Sequence, residues 1–314
     1  MRKFISRAAA LLLAGVMTAA VAGCGKNSDS EAKDTAKKWT ELDQAQITEA
    51  MGLGWNLGNQ LEASSGGLPS ETCWGNPEIT KELIDTVKAQ GFKTVRIPVS
   101  YLDMIGDGPD YKIDTDWLDR VQEVVDYVVD NDMFAIVNMH GDGYYTVDHS
   151  WLLCAEDDDK QTEIKDKYGK VWTQIADRFK DYDQHLIFES MNEEFNNDYG
   201  KPDANAYENI NAYNQIFVDS VRATGSNNEK RWLLLPGWNT NIEYTANDEY
   251  NFKIPTDNGC KADGKRIMIS VHYYDPFNFT IDENKTAKTQ WGKYAVKNYD
   301  NWGCLLYTSP SPRD

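Results

Sequence analysis

The stretch that decides the fold reads "TVRIPVS" (94–100), "DWLDRVQEVVDYVVDN" (116–131) and "FAIVNMH" (134–140). The two outer runs are short and mostly apolar, which is typical of buried strands. The middle run carries apolar residues at helical spacing from Leu118 to Val128. Because a strand after a helix must return along the preceding strand, the stretch predicts a parallel βαβ unit.

The same alternation continues in both directions along the chain. Further strand-like runs lie at 52–59, 186–193, 231–238 and 266–274. Further helix-like runs lie at 78–90, 160–180, 204–223 and 286–299. Strands that alternate with helices in this way predict an α/β fold with a parallel sheet.

Two architectures fit such a sheet, an open doubly wound sheet and a (β/α)8 TIM barrel. The first strand, "GLGWNLGN", lacks the G-x-G-x-x-G spacing of a dinucleotide-binding sheet. Polar and aromatic residues gather instead at the strand ends, at Asn59, Arg96, His140, Glu193, Trp238 and His272. Because these ends converge on one mouth in a barrel, the sequence favours a TIM barrel with only about six of its eight βα units present.

The end of the chain predicts a truncation. Residues 302–314, "WGCLLYTSPSPRD", have no periodicity and contain turn-forming residues. They leave no room for two further βα units. We therefore predict a truncated barrel domain at 41–303 and a non-native tail at 304–314.

The start of the chain predicts export. Residues 1–23 join a basic segment to a short apolar run and end in "VAG" before Cys24. This arrangement resembles the bacterial lipoprotein signal, which implies cleavage before Cys24 and its lipidation; a plain secretory signal is the alternative. Residues 24–40 are polar and aperiodic, which predicts a disordered tether. The protein is expected at the bacterial cell envelope, held to the membrane by a lipid anchor, or secreted.

The composition narrows the possible partners. A formal net charge of −18 argues against nucleic acid, because phosphate contacts need a basic face. Ten Trp and seventeen Tyr fit a surface that stacks on sugar rings. The four His form no H-x-x-x-H cluster, so neither a metal nor a cofactor is expected, and we expect a monomer. Cys73, Cys154 and Cys260 give no disulfide framework, although Cys73 and Cys154 could pair.

The segment "LIFESMNEEF" (186–195) holds three carboxylates behind a strand-like run. Because side chains alternate along a strand, Glu189 and Glu193 point the same way, with Glu189 one layer deeper. Glu193 and its neighbour Asn192 can both reach the mouth at the strand end. We therefore predict that Glu193 is a working acid, that Glu189 is a structural hydrogen-bonding group, and that Glu194 is solvated.

A carboxylic acid at a barrel mouth suits the cleavage of glycosidic bonds. Cleavage needs one acid to protonate the leaving oxygen and a second carboxylate as nucleophile or base. Aromatic residues suited to carrying sugar rings lie in loops or at strand ends, at Trp55, Trp74, Tyr144, Tyr145, Trp151 and Trp238. About half of them are expected to pack within loops instead.

Seven motifs make the chemistry more specific. In order they are "GWNLGN", "ETCWGNP", "GFKTVRIPVS", "NMH", "LIFESMNE", "YNQIFVDSVRATG" and "VHYYDPFNF". Together they resemble glycoside hydrolase family 5 (cellulase family A), in its bacterial endo-β-1,4-glucanase branch. The resemblance runs from about residue 52 to 280 and implies a retaining (β/α)8 enzyme that acts on polysaccharide.

The resemblance also implies roles for single residues. Glu193 would be the catalytic acid/base, and Arg96 would orient the nucleophile. The predicted substrate-binding residues are Asn59, Arg96, His140, Asn192, Trp238, His272 and Tyr274. The nucleophilic Glu would stand at the end of the seventh barrel strand, which this chain does not reach. We therefore expect this chain to be inactive by itself.

Two departures from the family pattern affect these roles. The acid is followed by Glu in "NEE" where the family often has Pro, and His140 is followed by Gly where many members have a second His.

The functional prediction is a retaining endo-β-1,4-glucanase that acts on cellulose or related β-glucans by a two-carboxylate double displacement. A xyloglucanase, mannanase or lichenase on the same scaffold is one alternative. A surface lipoprotein that binds glycans without cleaving them is the other.

Overall fold

The computed structural model describes residues 38–274, 276–284 and 287–289. The predicted signal peptide, Cys24, nearly all of the predicted tether and the C-terminal tail lie outside the described residues. The helix predicted for 286–299 also lies outside them, apart from residues 287–289. The domain boundaries at 23, 40 and 303 therefore stay predictions.

Eight strands and seven α-helices form in the described residues. The strands are β1 Gly54–Asn56, β2 Ser64–Ser65, β3 Leu68–Pro69, β4 Thr94–Ile97, β5 Phe134–Asn138, β6 Leu186–Glu189, β7 Leu233–Pro236 and β8 Ile267–Ser270. The helices are α1 Gln44–Met51, α2 Lys81–Ala89, α3 Thr115–Val129, α4 Asp158–Arg178, α5 Ala204–Ala223, α6 Ile242–Ala246 and α7 Phe277–Thr280.

The main sheet has six parallel strands in the order β1-β4-β5-β6-β7-β8. Each of these strands pairs with the next one along the chain, whereas a doubly wound sheet reverses its order at a switch point. This winding confirms the predicted (β/α)8 barrel, with six of its strands formed in the described part of the chain. Within that part β1 and β8 each pair on one side only, so the barrel is not closed there.

Three of the crossover helices, α3, α4 and α5, begin at acidic caps and bury one apolar face. The side chains of Asp114, Asp157 and Asp203 accept hydrogen bonds from backbone N–H groups in the first turns of α3, α4 and α5. The buried face of α3 is rich in Val, as the sequence pattern predicts. No described helix is both long and apolar enough to cross a membrane.

The main core lies between the sheet and these helices. The indole of Trp172 on α4 meets the rings of Phe188 on β6 and Phe217 on α5, with ring centroids 5.7 and 4.5 Å apart. All three side chains are fully buried. This aromatic cluster holds α4 and α5 against the sheet strand that leads into the predicted acid.

Helix α1 is not predicted by the sequence pattern. It starts with a capping box, in which Asp43 and Gln46 exchange side chain–backbone hydrogen bonds. Its Ile47 is fully buried in a second cluster with Phe134, Ile136, Ile187 and Trp232. With one buried residue in a polar segment, α1 has too weak a periodicity to be seen in sequence.

All six strands of the main sheet end earlier than predicted, β6 and β8 by the most. The apolar patterns extend the predicted strands to 193 and 274, but β6 ends at Glu189 and β8 at Ser270. Beyond β8 the backbone N–H of His272 donates to Thr240 O (2.9 Å), in the loop after β7, instead of extending the ladder. The residues predicted to do the chemistry therefore lie on loops just beyond the carboxyl ends of the strands.

Candidate active site

Glu193 lies in the loop after β6, with about a fifth of its side chain exposed. Tyr144 Oη donates a hydrogen bond to its Oε2 (2.9 Å). Its Oε1 lies 2.5 Å from His272 Nδ1 and accepts a longer hydrogen bond from Tyr274 Oη (3.3 Å). Donors from the loops after β5 and β8 thus hold the carboxylate in a fixed position at the mouth.

The pKa of Glu193 reflects two opposing effects. Burial raises it, but the hydrogen bond and charge of His272 and the hydrogen bond from Tyr144 outweigh burial. The result is a pKa below the ordinary value for Glu, so the carboxylate is ionised at neutral pH without substrate. Glu193 must gain a proton before it can act as an acid.

Arg96, near the carboxyl end of β4, bonds to the ends of two other strands, β6 and β1. Its Nε donates to Glu189 Oε2 (2.6 Å), and its Nη2 donates to Asn192 Oδ1 (2.7 Å). A longer hydrogen bond runs from Nη1 to Asn56 Oδ1 on β1 (3.4 Å). Because the guanidinium is planar and always charged, it fixes these groups relative to one another.

Glu189 is fully buried, as expected for a structural group one layer below the mouth. Besides the ion pair with Arg96, its Oε1 accepts a hydrogen bond from Ser270 Oγ (2.7 Å) on β8. The carboxylate therefore connects β4, β6 and β8 across the barrel interior. With both oxygens bonded, it is not free to react with a substrate.

His140 follows β5 beside this network. Burial and the guanidinium of Arg96 lower its pKa to about 3, so the imidazole is neutral. Asn138 Nδ2 lies 3.3 Å from His140 Nδ1. Since an amide NH2 can only donate, Nδ1 accepts and the ring proton is on Nε2. His140 can thus offer a neutral N–H donor at the mouth.

Most of the sequence-predicted site residues come together. Arg96, Asn192, Glu193, His272 and Tyr274 belong to one continuous hydrogen-bond network, with His140 next to it. Their assigned roles in binding and catalysis stay predictions, because the geometry shows only their proximity and bonding.

Asn192 is 2 % exposed, and its amide is shared between Arg96 and Tyr144, the latter at 2.5 Å. It is better placed to link these two side chains than to face a sugar directly.

Asn59 stands apart from the network. It is exposed in the turn after β1, with a left-handed backbone (φ 65°) that Asn tolerates well. Glu62 accepts hydrogen bonds from the backbone N–H groups of Asn59 and Gln60, and Asn76 Nδ2 donates to Asn59 O (2.9 Å). These hydrogen bonds hold the turn in a defined conformation, and the side chain of Asn59 remains exposed on it.

Trp238 requires a correction. Its indole is only 1 % exposed and packs against Tyr207 in the core, with ring centroids 5.9 Å apart. A ring in this position has no free face to stack on a sugar. The expectation that it binds substrate assumed that an aromatic residue at a strand end faces the mouth, whereas the turn at 238–240 directs this one into the interior.

Glu194 requires a second correction. It is 2 % exposed, not solvated, and its Oε2 has no hydrogen-bond partner. Burial, and then the nearby carboxylate of Asp142, raise its pKa well above the ordinary value for Glu. The turn Gly141–Gly143 covers it, and nothing in the local sequence around Glu194 indicates that cover.

Tyr144 is the functional contact that sequence reasoning missed. It was predicted only as one of several aromatic residues for sugar stacking, yet its hydroxyl bonds both Glu193 and Asn192. Burial and the carboxylate of Glu193 raise the pKa of this hydroxyl, so it stays protonated. Its position four residues after His140, in the same loop, is the only sequence signal that could have indicated this contact.

The other aromatic residues divide into packing and accessible groups. Trp151 is tied by its Nε1 to Asp142 Oδ1 (2.7 Å), and Lys167 Nζ lies 4.2 Å from its ring centroid. Trp55 packs against the core. Trp74 is half exposed, which leaves its ring available to a ligand.

The described residues hold no cluster of three or more His, Cys, Asp or Glu side chains suited to a metal ion. Cys73, Cys154 and Cys260 are free thiols, so the possible pair of Cys73 with Cys154 does not form.

Comparison with known proteins gives the family. The model for Cellulase (glycosyl hydrolase family 5) matches residues 59–304. Endoglucanase A of Paenibacillus barcinonensis is 52 % identical over 301 residues, which cover 94 % of this chain and 73 % of that protein.

Solved structures agree with this match. A family 5 xyloglucanase from Paenibacillus pabuli has a TM-score of 0.76 at 56 % identity, over 79 % of this chain and 69 % of that one. A GH5-4 broad specificity endoglucanase from Ruminococcus champanellensis with bound cellotriose has a TM-score of 0.73 at 37 % identity, over 83 % and 74 %. The parallel winding, the clustered strand-end residues and these similarities lead to one conclusion: the chain belongs to the cellulase family of glycosyl hydrolases, family 5.

Proposed function

We propose that the protein derives from a retaining endo-β-1,4-glucanase that acts on cellulose or related β-glucans, with Glu193 as its acid/base. The observation that carries this proposal is the Glu193 carboxylate, partly exposed at the mouth and held by Tyr144, His272 and Tyr274. A family 5 relative at 52 % identity with the name endoglucanase supports the same chemistry.

In the proposed first step, Glu193 gives its proton to the glycosidic oxygen as the bond from that oxygen to the anomeric carbon breaks. A second carboxylate attacks the anomeric carbon and forms a glycosyl-enzyme ester. In the second step, Glu193 takes a proton from water, whose oxygen attacks the same carbon and releases the carboxylate. One bond is hydrolysed, and both carboxyl groups return to their starting states.

The second carboxylate is not among the described neighbours of Glu193. Both oxygens of Glu189 are engaged by Arg96 and Ser270, and Glu194 is buried against Gly143. A retaining site needs its two carboxyl groups about 5–5.5 Å apart across the sugar. We therefore propose that the nucleophile stands on a further barrel strand, outside the described residues, and that the 314-residue chain is inactive.

The test compares this chain with one in which the natural continuation of the gene follows Gly303. Only the extended enzyme should hydrolyse carboxymethyl-cellulose or β-glucan, and Glu193→Gln in it should lower kcat by about 10²–10⁴-fold. Hydrolysis by the 314-residue chain would refute the missing nucleophile. Full activity of the Glu193→Gln variant would refute the role of Glu193.

A xyloglucanase is the second candidate, because a solved family 5 enzyme at 56 % identity bears that name. The choice depends on loop contacts that accept or exclude side-chain sugars. Initial rates of the extended enzyme on cellulose, xyloglucan, mannan and lichenan would separate these specificities.

A glycan-binding lipoprotein without activity is the remaining alternative. The gene beyond Gly303 decides it, because a binder would lack Glu at the end of the seventh barrel strand while it kept affinity for β-glucan.

The export of the protein is a separate proposal, supported by "VAGC" at 21–24. Labelled palmitate should enter the chain in a bacterial host and should not enter a Cys24→Ala variant. Labelling of that variant to the same extent would contradict lipidation at Cys24.

A further inference from the structure

Glu194 directly follows the proposed acid/base, yet the proposed mechanism gives it no part. It is 2 % exposed, and its Oε2 has no hydrogen-bond partner. A buried polar atom without a partner costs about 1–3 kcal/mol, so this side chain is not placed there for its own stability. The burial of the Glu194 side chain therefore needs an explanation in its contacts with neighbouring residues.

The Glu194 carboxyl lies directly on the backbone of Gly143. A Cβ atom built on Gly143 would be 1.3 Å from Glu194 Oε1 and 2.2 Å from its Cδ. The carboxyl thus fills the volume that any side chain at position 143 would need. Gly143 is the last residue of the turn Gly141–Gly143 and immediately precedes Tyr144, the donor to Glu193 Oε2.

Four loops meet around this contact, those after β4, β5, β6 and β7. The turn below Glu194 is anchored by Asp142, which accepts hydrogen bonds from Tyr101 N (2.9 Å), Leu102 N (2.8 Å) and Trp151 Nε1 (2.7 Å). On the other side, Glu194 O accepts a hydrogen bond from Asn239 N (2.7 Å) in the loop after β7. Glu194 is therefore a spacer between a fixed turn and the loop that carries Glu193.

The protonation of Glu194 is consistent with a spacer. Its titratable surroundings are all neutral or anionic groups: Asp142, Tyr144, Tyr145, Cys154, Tyr168 and Tyr213. Burial, and then Asp142, raise the pKa of the carboxyl well above its ordinary value, which favours the neutral form. A neutral carboxyl acts through its shape, and the amide of Gln has nearly the same shape.

We propose that Glu194 is a positioning residue for the acid/base: by packing on Gly143 it sets the place of Tyr144 and so maintains the Tyr144–Glu193 hydrogen bond. The importance of this contact for catalysis rests on the proposed function, whereas the contact itself can be tested without catalysis.

The experiment measures the pKa of the Glu193 carboxyl in the 314-residue chain by ¹³C NMR, with the signal assigned by its loss in Glu193→Gln. Tyr144→Phe provides the reference, because removal of the donor should shift that pKa upward. Glu194→Ala should produce an upward shift of the same sign. Glu194→Gln should leave the pKa at the wild-type value.

Gly143→Ala tests the contact from the other side. Its methyl group displaces the Glu194 carboxyl without deleting it, so the pKa of Glu193 should again rise. In the double variant Gly143→Ala/Glu194→Ala the methyl occupies space that the carboxyl has left, so the shift should be smaller than the sum of the two single shifts. Glu156→Ala, which removes an acid paired with Lys160 on the surface, should produce no shift.

The proposal is overturned if Tyr144→Phe shifts the pKa while Glu194→Ala and Gly143→Ala do not. It is also overturned if Glu194→Gln shifts the pKa as far as Glu194→Ala, since charge and not shape would then be responsible. If Glu194→Ala does not fold, Gly143→Ala and Glu194→Gln still decide the question. Because no readout uses hydrolysis, failure here is distinct from failure of Glu193→Gln in the extended enzyme.

Discussion

Single side chains at the mouth are fixed by partners from distant parts of the chain. Glu193 bonds to Tyr144 from the loop after β5 and to His272 and Tyr274 from the loop after β8. Arg96 on β4 reaches the same network through Asn192. Such a network is preorganised, which is the condition for strong electrostatic catalysis. Two predictions follow at this scale.

The first concerns acid stability and His140. Its pKa falls from 6.5 in the unfolded chain to about 3 in the fold, so the unfolded state binds more protons between these values. Stability from this group is therefore present above pH 6.5 and is lost as the pH falls toward 3, with a slope of up to about 1.4 kcal/mol per pH unit. Arg96, Glu193 and His272 are the charged or titratable groups that affect it.

His140→Gln should remove this contribution. Urea unfolding of both proteins at pH 7, 6, 5 and 4.5 gives the free energy of unfolding as a function of pH. Over this range the wild-type chain should lose more stability than the variant. Parallel slopes would show that His140 is protonated in the folded state.

The second residue-scale prediction compares two buried phenols. Tyr101 and Tyr168 are both fully buried, but Tyr101 Oη has no partner, whereas Tyr168 Oη donates to Ser190 O (2.7 Å). Tyr101→Phe removes an unsatisfied polar group and should raise the free energy of unfolding by about 1 kcal/mol.

Tyr168→Phe, the matched control, should lower the free energy of unfolding by about 1 kcal/mol, because a good hydrogen bond is lost. Urea unfolding measures both. Loss of stability in Tyr101→Phe would mean that its hydroxyl has a partner in solution.

At the scale of elements, buried polar side chains hold loops where helices and strands meet. Arg231, just before β7, is fully buried and donates from all three guanidinium nitrogens. The acceptors are Asn228 Oδ1 and the backbone oxygens of Phe179, Tyr182, Asp183 and Leu186. One side chain thus joins the α4–β6 connection to the start of β7.

Arg231→Lys should destabilise the chain by about 3 kcal/mol or more. An ammonium has three donors, so at least two of these five acceptors would lose their partner in a buried position. Arg178→Lys, at an exposed ion pair with Asp119, should change the free energy of unfolding little. Equal effects of the two substitutions in urea unfolding would contradict this account of Arg231.

At the scale of the whole molecule, the sheet has open edges within the described residues. Next to β1, Leu53 is 76 % exposed, and on and after β8, Ile269 and Val271 are 36 % and 44 % exposed. A strand with one side unpaired and apolar side chains exposed is a template for pairing with another chain. In a closed barrel these two edges would be covered.

Although the sequence by itself predicts a monomer, these open edges lead us to expect that the 314-residue chain self-associates, and that Ile269→Lys reduces this. Ile242→Lys is the matched control, because Ile242 is 43 % exposed but lies on α6, away from the sheet edge. Sedimentation velocity over a range of protein concentrations measures both. A wild-type chain that stays monomeric at all concentrations would refute the prediction.

Features with a repeating pattern could be predicted well from the sequence. Val-rich faces at helical spacing located α3, and apolar runs located β4 and β5 close to their observed bounds. Prediction failed for α1, whose single buried Ile47 makes no pattern, and for Glu194, whose cover comes from a turn some fifty residues away. Local sequence does not record which distant segment packs on a side chain.

By itself, the sequence determined the parallel α/β winding, the family motifs and the candidate acid Glu193, because hydrophobic period and motif spacing are local properties of the chain. The tertiary structure alone decided that Tyr144 bonds Glu193, that Trp238 faces the core and that Glu194 is buried with a raised pKa. Each of these depends on how close loops from different strands come together. Hydrogen bonds and desolvation act over a few ångströms, and that proximity is set only when the sheet has folded.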